Sequence, residues 1–346
     1  MMSFSIFRFH NYVSLDGFIE TLRGNREVIR NVKGWETDAL RSEVREVNGF
    51  NLFEHETIQI ENDPIQYIFF EAYTERKKNQ EYWYNPNGSL KEDREERINS
   101  YQSYVLIFQL NESIYGIVFS GINRAKAIVK DTFTNETWGN VEPVEIEVTE
   151  DLLYWIFKRY IDTPRESLST NDQVFVTALE SYMGKTRDNV NAMRGEGSRI
   201  STILGTLAFL FNNENLKAIR PAIQYGNERV LLEIGLTGTF KTWSKSYRGQ
   251  HFRALTGQRK ENAIAIFIFS KIIPLLIACY EENKRHNQWS PQLKVDFVRR
   301  LGTMIRDEVD SVLENIELEN ANPQIVEEIL DEEEFELEID DDDDEI

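Results

Sequence analysis

The chain has 346 residues, 41% of them apolar, and a formal net charge of −20. That length and apolar share support one large or two medium domains with cores of their own and exclude a chain disordered throughout. A single cysteine, Cys279, inside an apolar run excludes an intrachain disulfide framework and a cysteine metal site, as suits a reducing cytoplasm.

The opening MMSFSIFRFHNYVSL lacks the basic, apolar and small-residue succession of a signal peptide, so residues 3–13 read as a first strand of a cytoplasmic protein. Residues 56–60 alternate as a strand, and 65–73 (IQYIFFEAY) is a denser β-branched and aromatic run. Residues 75–100, polar and centred on Asn-Pro-Asn-Gly, read as a long connection or a protruding hairpin. YVLIFQL and IYGIVFSG, separated by NES, predict a hairpin. Ile122, Ala125, Ile128, Val129 and Phe133 then share one helical face. A short strand precedes a helix capped by Thr149, with Glu150 and Asp151 in its first turn where the helix dipole favours negative charge.

DTPRESLSTND, residues 162–172, is polar, contains proline and is the expected boundary between domains. Beyond it come QVFVTALESY as strand or helix start, a helix in SRISTILGTLAFLFNN, a strand pair turning at Gly226-Asn227, and long helices over 259–284 and 291–317. Ser290 and Pro291 form a favourable N-cap and N1 pair for the last. The expected fold is α+β: an N-terminal domain, 1–162, on an antiparallel sheet with helices; a mainly helical, basic domain with a strand pair, 173–318; and a disordered acidic tail, 319–346. The run AIAIFIFSKIIPLLIACY, 263–280, approaches spanning length, but a central lysine opposes insertion by roughly 2.5–3.5 kcal/mol. It is expected to be a core helix kinked at Pro274, without stable membrane association.

Charge is unevenly distributed. Residues 317–346 hold 16 acidic side chains and no Lys or Arg, leaving only −4 on the other 316 residues. Residues 181–260 hold 13 Lys and Arg against 5 Asp and Glu. Within them Lys241, Lys245, Arg248, His251, Arg253, Arg259 and Lys260 interleave with Phe240, Trp243, Tyr247 and Phe252. Cations attract phosphates irrespective of sequence, and exposed rings stack on bases at roughly 1–3 kcal/mol each. With Lys185, Arg187, Arg194 and Arg199 these residues, Trp243 and Tyr247 included, are the predicted nucleic-acid face, for DNA ahead of RNA. The competing reading buries the aromatics and leaves the cations as a solvated edge.

The tail carries Phe335, Leu337, Ile339 and Ile346 among its carboxylates, Asp341 and Asp343 included. Its composition resembles the acidic tails of single-stranded-DNA-binding proteins that end in an apolar residue. Tethered at about millimolar effective concentration, such a segment competes with polyanions for a basic face and so autoinhibits it. The alternative is a docking peptide for a basic protein partner, or a nucleic-acid mimic. Usage rich in Asn, Ile, Glu, Tyr and Phe suggests an AT-rich bacterium or phage, and with it phage–host conflict.

Catalytic signatures are weak. Gly184-Lys185-Thr186 follows an apolar run, but the glycine that a phosphate loop needs five positions earlier is Leu179. Asp63 and the Glu75-Arg76-Lys77 run lie in the order used by metal-dependent nucleases, yet one extended strand would hold Asp63 and Glu75 more than about 30 Å apart. His10, His55, His251 and His286 are scattered, and no serine nucleophile elbow is present. No cofactor or metal is implied.

Overall fold

The computed structural model describes residues 1–33, 35, 39–170, 172–186, 190–197, 204–212 and 214–321, with side chains to 318. The chain divides into two compact units: Met1–Ser198 with Asn215–Trp289, and Arg199–Glu214 with Ser290–Ile346.

The larger unit begins with β1 (Met2–Phe9) and α1 (Leu15–Gly24), then β2 (Glu27–Arg30), β3 (Leu40–Arg45), β4 (Glu56–Ile60), β5 (Asp63–Lys77), β6 (Ile98–Leu110) and β7 (Ser113–Val118). Helix α2 (Ile122–Thr132), the single turn α3 (Asn135–Trp138), β8 (Val141–Pro143) and α4 (Glu150–Asp162) follow. The second half contributes β9 (Val174–Lys185), β10 (Ala192–Glu196), β11 (Asn215–Tyr225), β12 (Glu228–Gly235), β13 (Phe240–Thr242), α6 (Gly257–Phe267) and α7 (Ile273–Arg285). The smaller unit contains α5 (Leu204–Phe211) and α8 (Pro291–Ala321). There the ring of Phe211 lies where a Cβ on Gly302 would have to sit, so glycine lets α5 and α8 approach.

All thirteen described strands join one antiparallel sheet in the order β10-β9-β11-β12-β13-β1-β7-β6-β5-β3-β2, with β4 on β5 and β8 on β1. β1 is the splice. Its Met2–Phe4 pair with β13, while Ser5–Phe9 pair with β7. Its sequence, MSFSIFRF, is buried over most of its length with Arg8 exposed, as befits a strand paired with β7, β8 and β13. It also places the polar segment 162–172 inside the larger unit: the strands before and after it extend the same sheet.

Tight turns set the register. The β4–β5, β6–β7 and β11–β12 hairpins turn at Glu61, Asn111 and Gly226, with φ of 54°, 54° and 56°. Positive φ at the first turn residue matches the twist of the paired strands, which is why Asn and Gly recur there. Helices α1 and α2 cover one face of the sheet, where Phe9, Phe18, Phe133 and Trp138 form an aromatic core. Thr149 caps α4 as expected, its Oγ1 accepting from the Leu152 N–H at 3.1 Å.

The apolar run at 263–280 is largely interior, and its bend is a π-helical turn, Ile268–Ile272, that joins α6 to α7. Pro274 follows in the first turn of α7, where its missing N–H and bulky ring are best tolerated. Lys271 lies in the π turn with Nζ 2.9 Å from Glu61 and 3.7 Å from Asp63, so the central lysine has carboxylate partners. Gly257–Arg285 is long and apolar enough to cross a membrane, and 67% of its most apolar stretch is buried within the protein.

Candidate functional site

Unbalanced positive charge borders a cavity where β5 ends against α2. A cleft of about 720 Å³ is lined there by Arg30, Arg76, Lys77, Lys78 and Lys130, with Asp131 as the only carboxylate among the described lining residues. Each part is positioned by ordinary secondary structure. Apolar positions of α2 bury Ala125, Ile128 and Val129, which brings Asp131 against the sheet and leaves Lys126 and Lys130, four residues apart, exposed. β5 carries Arg76, Lys77 and Lys78 past the end of its apolar run, and β2 delivers Arg30.

Asp131 is 5% exposed and holds two guanidinium groups: Nη1 of Arg30 at 2.8 Å and Nε of Arg76 at 2.7 Å. Arg30 also donates Nη2 to Thr74 Oγ1 at 3.0 Å and to the Glu75 carbonyl at 2.6 Å. Burial lowers the Arg30 pKa and the Asp131 charge opposes that shift, so the carboxylate is what keeps this cation tolerable in the interior. Lys77 and Lys78 each place Nζ on one backbone carbonyl, of Lys33 and Glu96, and an ammonium has further donors to offer. Among the described residues neither Lys126 nor Lys130 is in an ion pair. With Asp131 ionised, the lining carries four net positive charges.

Tyrosine supplies the other ingredient. Tyr82, 57% exposed on the segment between β5 and β6, and Tyr101 on β6 line the same cleft together with Asn79 and Asn99. Beside it, Glu75 is buried and accepts from both Nη1 and Nη2 of Arg94, at 2.9 and 2.6 Å, and from the Arg41 N–H at 3.0 Å. Burial pushes its carboxyl up, but the Arg94 fork and the Arg41 N–H outweigh this and hold it below the ordinary carboxylate range.

The basic and aromatic face expected over 181–260 is arranged differently. Phe240, Tyr247 and Phe252 are buried, Tyr247 and Phe252 against each other at 5.4 Å and Phe252 against Phe267 of α6. They therefore offer no stacking faces to a base. Trp243 is half-buried and covered by the Arg220 guanidinium, 4.1 Å from the ring centre. Four of the cations are matched: Arg194 and Arg220 meet Glu196, Arg220 and Lys241 meet Glu233, and Arg259 meets Glu56. His251 lies 3.0 Å from Glu228, which also accepts from the Tyr247 hydroxyl and the Gln250 N–H. Lys260 sits over the Tyr247 ring at 5.5 Å. Lys185, Lys245, Arg248 and Arg253 are exposed, Arg248 turning one donor to the Lys245 carbonyl. Arg187 and Arg199 lie outside the described residues, as do Phe335, Leu337, Ile339, Asp341, Asp343 and Ile346 of the tail.

Neither catalytic hint is assembled. Gly184 and Lys185 lie within β9, paired to Met193 and Ala192 of β10, so the loop that a phosphate-binding motif requires is absent there. Asp63 and Glu75 stand near opposite ends of the unbroken 15-residue β5; Asp63 faces Lys271 and Glu75 faces Arg94. Among the described residues no group of three or more His, Cys, Asp or Glu gathers to hold a metal ion. Cys279 is buried, and burial pushes its thiol up to about 12, far from a reactive thiolate.

The cleft escapes a reading of the sequence because Arg30, Arg76 to Lys78 and Lys130 come from three distant segments. Its local trace is Lys130 on the polar side of a well-patterned helix, four residues after Lys126, which lines the neighbouring pocket. No protein-family model matches the chain, and the search of curated proteins found no match either.

Proposed function

We propose that the protein binds nucleic acid, that phosphates are taken at the cleft between β5 and α2, and that the acidic tail competes for the same cations. The observation that carries this reading is the convergence of five cations on one cleft beside the exposed Tyr82, with Asp131 the single carboxylate among the described lining residues. Cations supply the salt-dependent attraction to phosphates and the Tyr82 ring a surface for unstacked bases. The tail enters by charge: 16 acidic residues and no cation over 317–346 make it a polyanion on a tether.

The test is binding of fluorescent single-stranded and duplex oligonucleotides to the full chain at low salt, followed by anisotropy. Log affinity should fall linearly with log salt, and charge reversal of Lys126 and Lys130 should lower both the affinity and the slope, the latter by about one for each phosphate no longer neutralised. Deletion of 331–346 should raise affinity and alter the slope. A full-length and a truncated protein that both ignore nucleic acid at low salt would end the proposal.

A further inference from the structure

The chemistry of the cleft favours one kind of phosphate. Resting on the nucleic-acid reading above, we infer that it accepts a nucleoside phosphomonoester: the phosphorylated end of a single strand, or a free nucleotide with the same group.

Three observations lead there. The cleft, about 720 Å³, has room for a nucleotide, and it shares Arg30, Lys130 and Asp131 with a neighbouring pocket of about 640 Å³. The charge exceeds what one diester would neutralise. A phosphodiester brings a single negative charge, whereas a phosphomonoester brings about 1.5 to 2 at neutral pH together with three acceptor oxygens, and the cleft presents four net positive charges. Arg76 is ion-paired at its root: Nε is 2.7 Å from Asp131, the side chain is 38% exposed, and its terminal nitrogens are in no ion pair among the described residues. A guanidinium held this way suits two oxygens of one terminal phosphate. Tyr82, exposed on the same lining, then lies where an attached base can stack. Asp131 acts through the arginines as a positioning residue.

The experiment compares, on the full-length protein, one short single-stranded oligonucleotide carrying a 5′-phosphate, a 3′-phosphate or no terminal phosphate, with adenosine monophosphate as competitor. A phosphorylated end should bind about tenfold more tightly than the hydroxyl-ended strand, and Arg76→Ala should abolish that preference. Lys130→Glu, on an exposed helix face, provides the same comparison should Arg76→Ala fail to fold. Competition by adenosine monophosphate at similar concentration assigns the group to a free nucleotide, and its failure to compete assigns it to a strand end. Equal binding of all three oligonucleotides, weakened uniformly by Arg76→Ala, overturns this inference and leaves nucleic-acid binding standing. No binding of any oligonucleotide, or of the nucleotide, removes both.

Discussion

Two regions of this protein are rich in cations and aromatic rings, and they differ in what surrounds the charge. Around 228–260 Lys241 and Arg259 meet Glu233 and Glu56, His251 meets Glu228, and three of the four rings that interleave with the cations are interior. Around the end of β5 Arg30 and Arg76 meet Asp131, the cations border a cleft, and the ring of Tyr82 remains exposed. Cation and ring content along the chain is therefore a poor guide to a polyanion surface; where the rings and charges end up in space decides.

The sharpest break in that comparison is structural. Asp131→Ala removes the counter-charge from the half-buried Arg30 and should destabilise the fold by about 1–3 kcal/mol, read in a denaturant melt, because the guanidinium loses its buried carboxylate partner. Next in size is binding. The Lys126→Glu, Lys130→Glu double variant should weaken affinity about tenfold for each phosphate it ceases to hold near 0.1 M salt, whereas Lys245→Glu with Arg253→Glu should change it less than about threefold. Similar losses from both doubles would move the binding surface away from the cleft. Tyr82→Ala should weaken single-strand binding by about 1–3 kcal/mol, while Tyr247→Phe should leave binding unchanged and only lower stability, since that hydroxyl serves the buried Glu228.

A smaller effect separates the regions by pH. Glu75 is held below the ordinary value of about 4.5, so the stability it lends through Arg94 is fully present above that value and is lost as pH falls through its own lowered one. Melts taken from pH 6 downward should show a loss of stability in acid that Glu75→Gln makes shallower; parallel curves would argue against the pair's contribution. The smallest change is expected from Arg194→Ala, which should leave the denaturant melt nearly unmoved, since its ion pair with Glu196 is solvent-exposed on both sides.

Local text is legible wherever one short stretch carries its own period or cap. Thr149, the Gly226-Asn227 turn and the apolar face of α2 are readable because each depends on residues within a few positions. At 240–252 the same reasoning leaves two readings, for a short strand, a 3₁₀ turn and a loop follow each other there and no single period runs through them. The sequence by itself determined the uneven charge, the antiparallel strands, the helices and the acidic end, all of them properties of neighbours along the chain. Only the tertiary structure decided that β1 joins the two halves into one sheet, that the 238–260 aromatics turn inward, and that Arg30, Arg76 and Lys130 meet over Asp131. Those outcomes rest on pairing and burial between segments tens of residues apart, and no window of sequence contains the partners.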